Sequence, residues 1–206
     1  MKTLFALIAT FLLASPSGEL LSADKHVFAM TVSKTTSFGH GCAVNGFTIT
    51  NAHMVDPREV NDFSPPSKIR FRYQWQTGET GRGFSTLVSS QADLAVVALD
   101  SDPPNGYAPL APRPFVGDMI YWTEYDFSKR KHIMQERERK GKIMRIVAGY
   151  VYLEENITRG ASGGCAWNER GEVIGLMTFG ITTEDMKSTA GVTGLWGKWF
   201  KDVDGK

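Results

Sequence analysis

At 206 residues, with 42% apolar and 22% charged side chains, the chain has the size and composition of an ordinary globular protein and falls outside the disordered class. A formal net charge of +1 removes any global electrostatic reason to expect nucleic acid or an anionic surface as partner. Its two cysteines, Cys42 and Cys165, are too few for a disulfide framework and lack the spacing of a four-ligand zinc site; no metal or other cofactor is expected.

The first segment, residues 1–23, stands apart. Met1 and Lys2 are followed by "TLFALIATFLLA", an apolar run too short to span a bilayer comfortably. One basic residue, a short apolar stretch and then small residues form the pattern of a secretory signal, with cleavage after Ala23 favoured over Ser17. The expectation is a secreted or periplasmic protein, free of the membrane after cleavage. Left uncleaved, the same segment is an anchor.

Period-2 alternation dominates the remainder. In "KIRFRYQW", Ile69, Phe71, Tyr73 and Trp75 share one face, with Arg70, Arg72 and Gln74 opposite. "HVFAMTVS", "GFTIT" and "DLAVVAL" complete the strand runs of the first half, residues 24–100. Residues 101–114 follow in "DSDPPNGYAPLAPRPF", which holds five of the nine prolines and reads as a semi-rigid linker. The second half, 115–206, carries "DMIYWTEY", "KIMRIVAGYVYL" and "EVIGLMTF". Its charge run "KRKHIMQERERKGK" alternates in sign and suits a solvated hairpin better than an anion-binding patch. Trp196, Trp199, Phe200 and Val203 fall at i, i+3, i+4 and i+7, predicting a short C-terminal helix with a core-facing aromatic stripe. Many short strands at near-regular spacing predict an all-β barrel or sandwich in two halves, with no sequence repeat between them.

"TRGASGGCAW" places Ser162 among three glycines. The stretch fits G-x-S-x-G, the nucleophile elbow of α/β-hydrolases, but that mechanism needs a histidine after the serine. His26, His40, His53 and His132 all precede Ser162. The subtilisin order fits poorly, because Asp24, the only aspartate before His53, sits at the expected mature terminus. What remains is histidine, aspartate, serine. His53 closes the apolar strand of "FTITNAHMV", where an imidazole can project into a cleft. Asp93 opens "DLAVVAL", a run apolar enough to bury the carboxylate that orients such a histidine. Asp100 and Asp102 belong to the linker, and Asp56 is too close in sequence to reach the ring easily.

"GHGCAVNGFTITNAHM", "ADLAVVAL" and "RGASGGCAWNERGEVIGLMTFG" resemble the three motif blocks of the chymotrypsin-fold (trypsin-like) serine proteases, in the manner of bacterial and viral members. The resemblance implies two packed six-stranded antiparallel Greek-key β-barrels with the active site between them, and polypeptides as substrates. It implies His53, Asp93 and Ser162 as catalytic residues, with the backbone N–H groups of Gly160 and Ser162 as the oxyanion hole. It implies that Thr178, Phe179 and Gly180 pair with the substrate backbone, and that Asn156, Ile157, Arg159 and Gly191 belong to the specificity pocket. Asn156 falls at the pocket base, where trypsin-like members keep an aspartate; a neutral base argues against Arg or Lys specificity. Nearby Glu154, Glu155, Glu184 and Asp185 carry negative charge that a pocket can use.

Two departures from the family pattern matter. Ala161 stands where zymogen-activated members carry an aspartate for a newly freed N-terminus, and no "IVGG"-like start follows Ser22; activity without N-terminal clipping is expected. Cys42 and Cys165 fall one in each implied barrel, either as a bridge or as two buried thiols. Other readings of the chain are a pseudoprotease that binds peptides or polyanions, and an anchored viral protease that processes its own polyprotein.

Overall fold

The computed structural model describes residues 23–32, 37–55, 69–125, 136–157, 160–182 and 188–196. A 3-10 turn, Ala23–His26, leads into the first barrel. Its strands are β1 (Val27–Val32), β2 (Ser37–Val44), β3 (Phe47–Thr50), β4 (Arg70–Trp75), β5 (Thr80–Ser89) and β6 (Leu94–Leu99). A single helical turn, α1 (Ala52–Val55), follows β3. The second barrel contains β7 (Met119–Tyr125), β8 (Glu136–Val147), β9 (Tyr150–Leu153), β10 (Cys165–Trp167), β11 (Val173–Thr182) and β12 (Ser188–Gly194). Each is a closed six-stranded antiparallel barrel, ordered β1-β2-β3-β6-β5-β4 and β7-β8-β9-β12-β11-β10. The two share one strand order although their sequences show no repeat. Closure matters physically, since it leaves neither sheet an unpaired edge.

Alternation explains the walls. In β4, Phe71, Tyr73 and Trp75 are buried while Arg70 and Arg72 face solvent. Tyr73 and Trp75 meet Phe28 of β1 edge-on, at centroid distances of 5.9 and 5.0 Å. Such pairs add about 1 kcal/mol each beyond simple burial. The run "KIMRIVAGYVYL" is two strands, broken where Ala148 and Gly149 both take positive φ to turn the β8–β9 hairpin. The charge run is described only from Glu136, where β8 pairs with β7.

The barrels do not meet through a loose tether. Asn45 N donates to Ala108 O, Ala108 N to Ala43 O, Ala111 N to Val173 O and Val173 N to Pro109 O. The proline-rich stretch is thus a strap hydrogen-bonded to β2 and its following turn on one side and to the start of β11 on the other. Cys42 and Cys165 form a disulfide from β2 to β10, with a Cα–Cα distance of 5.2 Å. Around it one apolar cluster joins Val27, Val44, Ile49 and Leu94 of the first barrel to Trp122, Ala161, Ala166, Leu176 and Val192 of the second.

The α-helix of the described residues lies mid-chain, at Ala52–Val55. The helix expected at the C-terminus lies beyond the described residues after Trp196, which itself sits in a turn. Of the expected signal segment 1–23, residues 1–22 are likewise outside them.

Candidate functional site

His53 sits in α1, immediately after β3, and Asp93 at the end of the turn that leads into β6. Because β3 and β6 are neighbours in the barrel, residues 40 apart in sequence become adjacent. His53 Nδ1 lies 2.9 Å from Asp93 Oδ2 and 3.1 Å from Oδ1, and the His53 backbone N–H donates to Oδ1 at 3.0 Å. One carboxylate therefore fixes both the ring and the backbone that carries it. The His53 side chain is 45% exposed and that of Asp93 20%, so the ring is partly open to solvent while the carboxylate is largely shielded. Asp93 takes φ +49, a left-handed conformation that costs a non-glycine residue energy unless its surroundings hold it.

The Ser162 loop leaves the second barrel just before β10. Gly160 has φ +97 and Gly163 φ +84. At Gly163 a Cβ would collide with the carbonyl oxygen of His40 and with Thr50 Oγ1, so this position requires glycine on two counts. The loop is anchored by Gly163 N donating to Met177 O (2.7 Å), Gly164 N to Ala161 O (3.1 Å) and His40 N to Ser162 O (2.8 Å). Ser162 Oγ donates to Thr178 O at 3.1 Å and, among the described residues, not to the His53 ring. The N–H groups of Gly160 and Ser162 donate to no backbone carbonyl of the described residues.

Three further side chains shape the site, and none was singled out by sequence. Asn51, fully buried, donates through Nδ2 to Asp93 O (3.1 Å) and to Thr178 Oγ1 (3.0 Å). Tyr150 donates to Gln91 O at 3.4 Å; burial first, then the nearby Asp93 and Tyr152, raises its phenol above the ordinary range. His40, on β2 beneath the Ser162 loop, is fully buried, and desolvation lowers it to about 4. The nearby Gly160 backbone works in the opposite direction and is the smaller effect. The only sequence signal for Asn51 is its place two residues before His53; His40 and Tyr150 carry none.

Of the expected pocket residues, Asn156 is exposed and Ile157 half-buried against the shared core. Arg159 lies outside the described residues. Thr178 is buried and occupies a bulge in β11, unpaired between Met177↔Val192 and Phe179↔Gly191. Gly180 continues the strand opposite Ala190. Ala161 is buried, presenting a methyl group rather than a carboxylate.

A family model described as a trypsin-like peptidase domain matches residues 39–176. No curated protein matches the chain in sequence. Among solved structures, the serine endoprotease from Yersinia pestis is similar, with a TM-score of 0.66 at 19% identity. The similarity covers 84% of this chain but only 60% of that one, and at such identity it is a likeness of fold.

Proposed function

The chain belongs to the trypsin-like peptidase domain family, whose model spans residues 39–176, and from that membership we propose that it is a serine endopeptidase acting through His53, Asp93 and Ser162. The observation that carries the proposal is the approach of both Asp93 carboxylate oxygens to His53 Nδ1, at 2.9 and 3.1 Å. A ring so held keeps its proton on Nδ1 and leaves Nε2 as the base. The Ser162 hydroxyl leaves Thr178 O by side-chain rotation, gives its proton to His53 and attacks the scissile carbonyl. His53 passes that proton to the leaving amine, and water then hydrolyses the acyl-enzyme. Catalytic hydrogen bonds often tighten only once substrate is bound, so the resting Ser162 geometry is compatible with this sequence of steps.

The N–H groups of Gly160 and Ser162 receive the developing oxyanion, a contribution of about 3 kcal/mol per donor. Substrate pairs in extended form with the backbone of Thr178, Phe179 and Gly180. Asn156, Ile157, Arg159 and Gly191 form the side-chain pocket, whose neutral base favours small, apolar or polar residues over Arg and Lys. The methyl group of Ala161 cannot pair with a new N-terminus, so the enzyme is active without N-terminal clipping into the barrel; dormancy until such a cleavage contradicts this. The segment 1–23 directs export, and polypeptides are the partners.

A second reading draws on the Ser162 hydroxyl bound to Thr178 O: a barrel pair that binds peptides without cleaving them. Digestion of a peptide library by the mature chain and by Ser162→Ala separates the two. Cleavage by the parent alone is expected; identical, uncleaved profiles favour the binding reading. Strong preference for Arg or Lys in that library removes the neutral pocket.

A further inference from the structure

Asn51 links the segments that carry His53, Asp93 and Thr178. Its own carbonyl accepts Met54 N (3.2 Å), closing the helical turn that bears His53. Its amide Nδ2 spans Asp93 O (3.1 Å) in the first barrel and Thr178 Oγ1 (3.0 Å) in the second. Thr178 Oγ1 also accepts Thr193 N (3.2 Å) and lies 2.6 Å from Thr193 Oγ1, while its carbonyl receives Ser162 Oγ. The amide orientation is forced, because Asp93 O is an acceptor only and a flipped amide would set oxygen against oxygen.

The arrangement is costly. Asn51 is wholly buried, and its Oδ1 has no hydrogen-bond partner among the described residues. A buried acceptor left unpaired is unfavourable, so packing alone argues for an apolar side chain here. What the amide supplies instead are two donors aimed at specific atoms. One grips the carbonyl of Asp93, whose φ of +49 is otherwise unfavourable for an aspartate; the turn bond from Asp93 N to Ser90 O (3.2 Å) fixes the other side of that residue.

We propose that Asn51 is a positioning residue: it holds Asp93 in the left-handed backbone conformation that aims its carboxylate at His53, and it ties this pair to the Thr178 segment that carries the Ser162 hydroxyl. The proposal rests on the peptidase reading for its effect on turnover, and on geometry alone for its effect on the His53–Asp93 contact. Loss of Asn51 lets Asp93 leave that conformation, weakening His53 orientation while the pocket and substrate strand stay in place. The effect therefore falls on kcat and spares KM.

Two measurements test it on the purified chain. In steady-state hydrolysis of a peptide taken from the library digest, Asn51→Ala lowers kcat about ten- to hundredfold, the scale of one lost buried hydrogen bond that leaves its partner unpaired, with KM within about twofold. In a Ser162→Ala background, which prevents self-digestion, the low-field proton resonance of His53 Nδ1–H moves upfield or broadens when Asn51→Ala is added. A folded Asn51→Ala chain with unchanged kcat and unchanged resonance overturns the proposal, as does a loss appearing in KM alone. If Asn51→Ala does not fold, Thr178→Val decides: it keeps shape, removes the second anchor of the amide, and lowers kcat at constant KM, whereas unchanged kcat overturns the tie. If the parent chain cleaves nothing, the peptidase reading fails, and the resonance comparison still decides whether Asn51 positions Asp93.

Discussion

His40 makes the stability of this fold depend on pH in a calculable way. The ring is wholly buried under the Ser162 loop, and desolvation brings it from 6.5 to about 4. The unfolded chain therefore takes up a proton before the folded one does as pH falls. The stability associated with the neutral ring is complete above about pH 6.5, is lost progressively as pH falls toward 4, and changes no further below that. A depression of about 2.5 units at 1.36 kcal/mol per unit gives a loss of about 3 kcal/mol across the window. His40→Gln removes the titration while keeping a polar side chain at this position. Urea denaturation followed by tryptophan fluorescence at each half-unit from pH 4 to 8, in a Ser162→Ala background, measures the difference. Asp100, held low chiefly by Tyr73, and Glu172, held low chiefly by Asn168, also lose stabilisation in acid, but they are common to both chains and cancel. The stability gap between parent and His40→Gln should shift by about 3 kcal/mol toward the variant between pH 7 and 4. Parallel curves refute the reasoning, as does an NMR titration placing His40 near 6.5 in the folded chain.

Other expected outcomes concern the site and its supports. Asp93→Asn should lower turnover about ten-thousandfold without changing the circular dichroism spectrum, because the ring would be held in the wrong tautomer; a loss below tenfold denies Asp93 its role. Replacing Cys42 and Cys165 by serine should cost about 5 kcal/mol by the loop-entropy estimate for a separation of 123 residues; a denaturation midpoint within error of the parent, or free thiols in the unreduced parent, counts against the bridge. Gly163→Ala should destabilise by about 3 kcal/mol or more and abolish hydrolysis, because its Cβ meets the His40 carbonyl and its φ is +84; a fully active, equally stable variant would show that the loop is looser than described.

Side-chain alternation carried the legible part of the fold. Phe71, Tyr73 and Trp75 mark β4 as plainly in sequence as in the barrel, and β1, β3, β6, β7 and β11 follow from similar runs. β2 was illegible because its glycines interrupt the pattern; at Gly41 the missing side chain is what admits the Phe28 ring. β12, "STAGVTG", lacks the alternating large apolar residues that mark the other strands. Closure of each barrel and the strapping of 101–114 onto both depend on backbone hydrogen bonds, which leave no trace in side-chain pattern. At the site, the order of histidine, aspartate and serine, together with each residue's place beside an apolar strand, pointed to His53 and Asp93. The left-handed backbone of Asp93, the amide of Asn51 and the burial of His40 arise only when strands distant in sequence become neighbours.

In the proposed mechanism Ser162 is the nucleophile and His53 its base. Incubation of the purified chain with a fluorophosphonate probe, followed by peptide mapping, tests this most directly. The predicted result is a single covalent adduct on Ser162, formed by the parent and lost in both Ser162→Ala and His53→Ala. A folded parent chain that stays unmodified, or one modified equally well without His53, would contradict it.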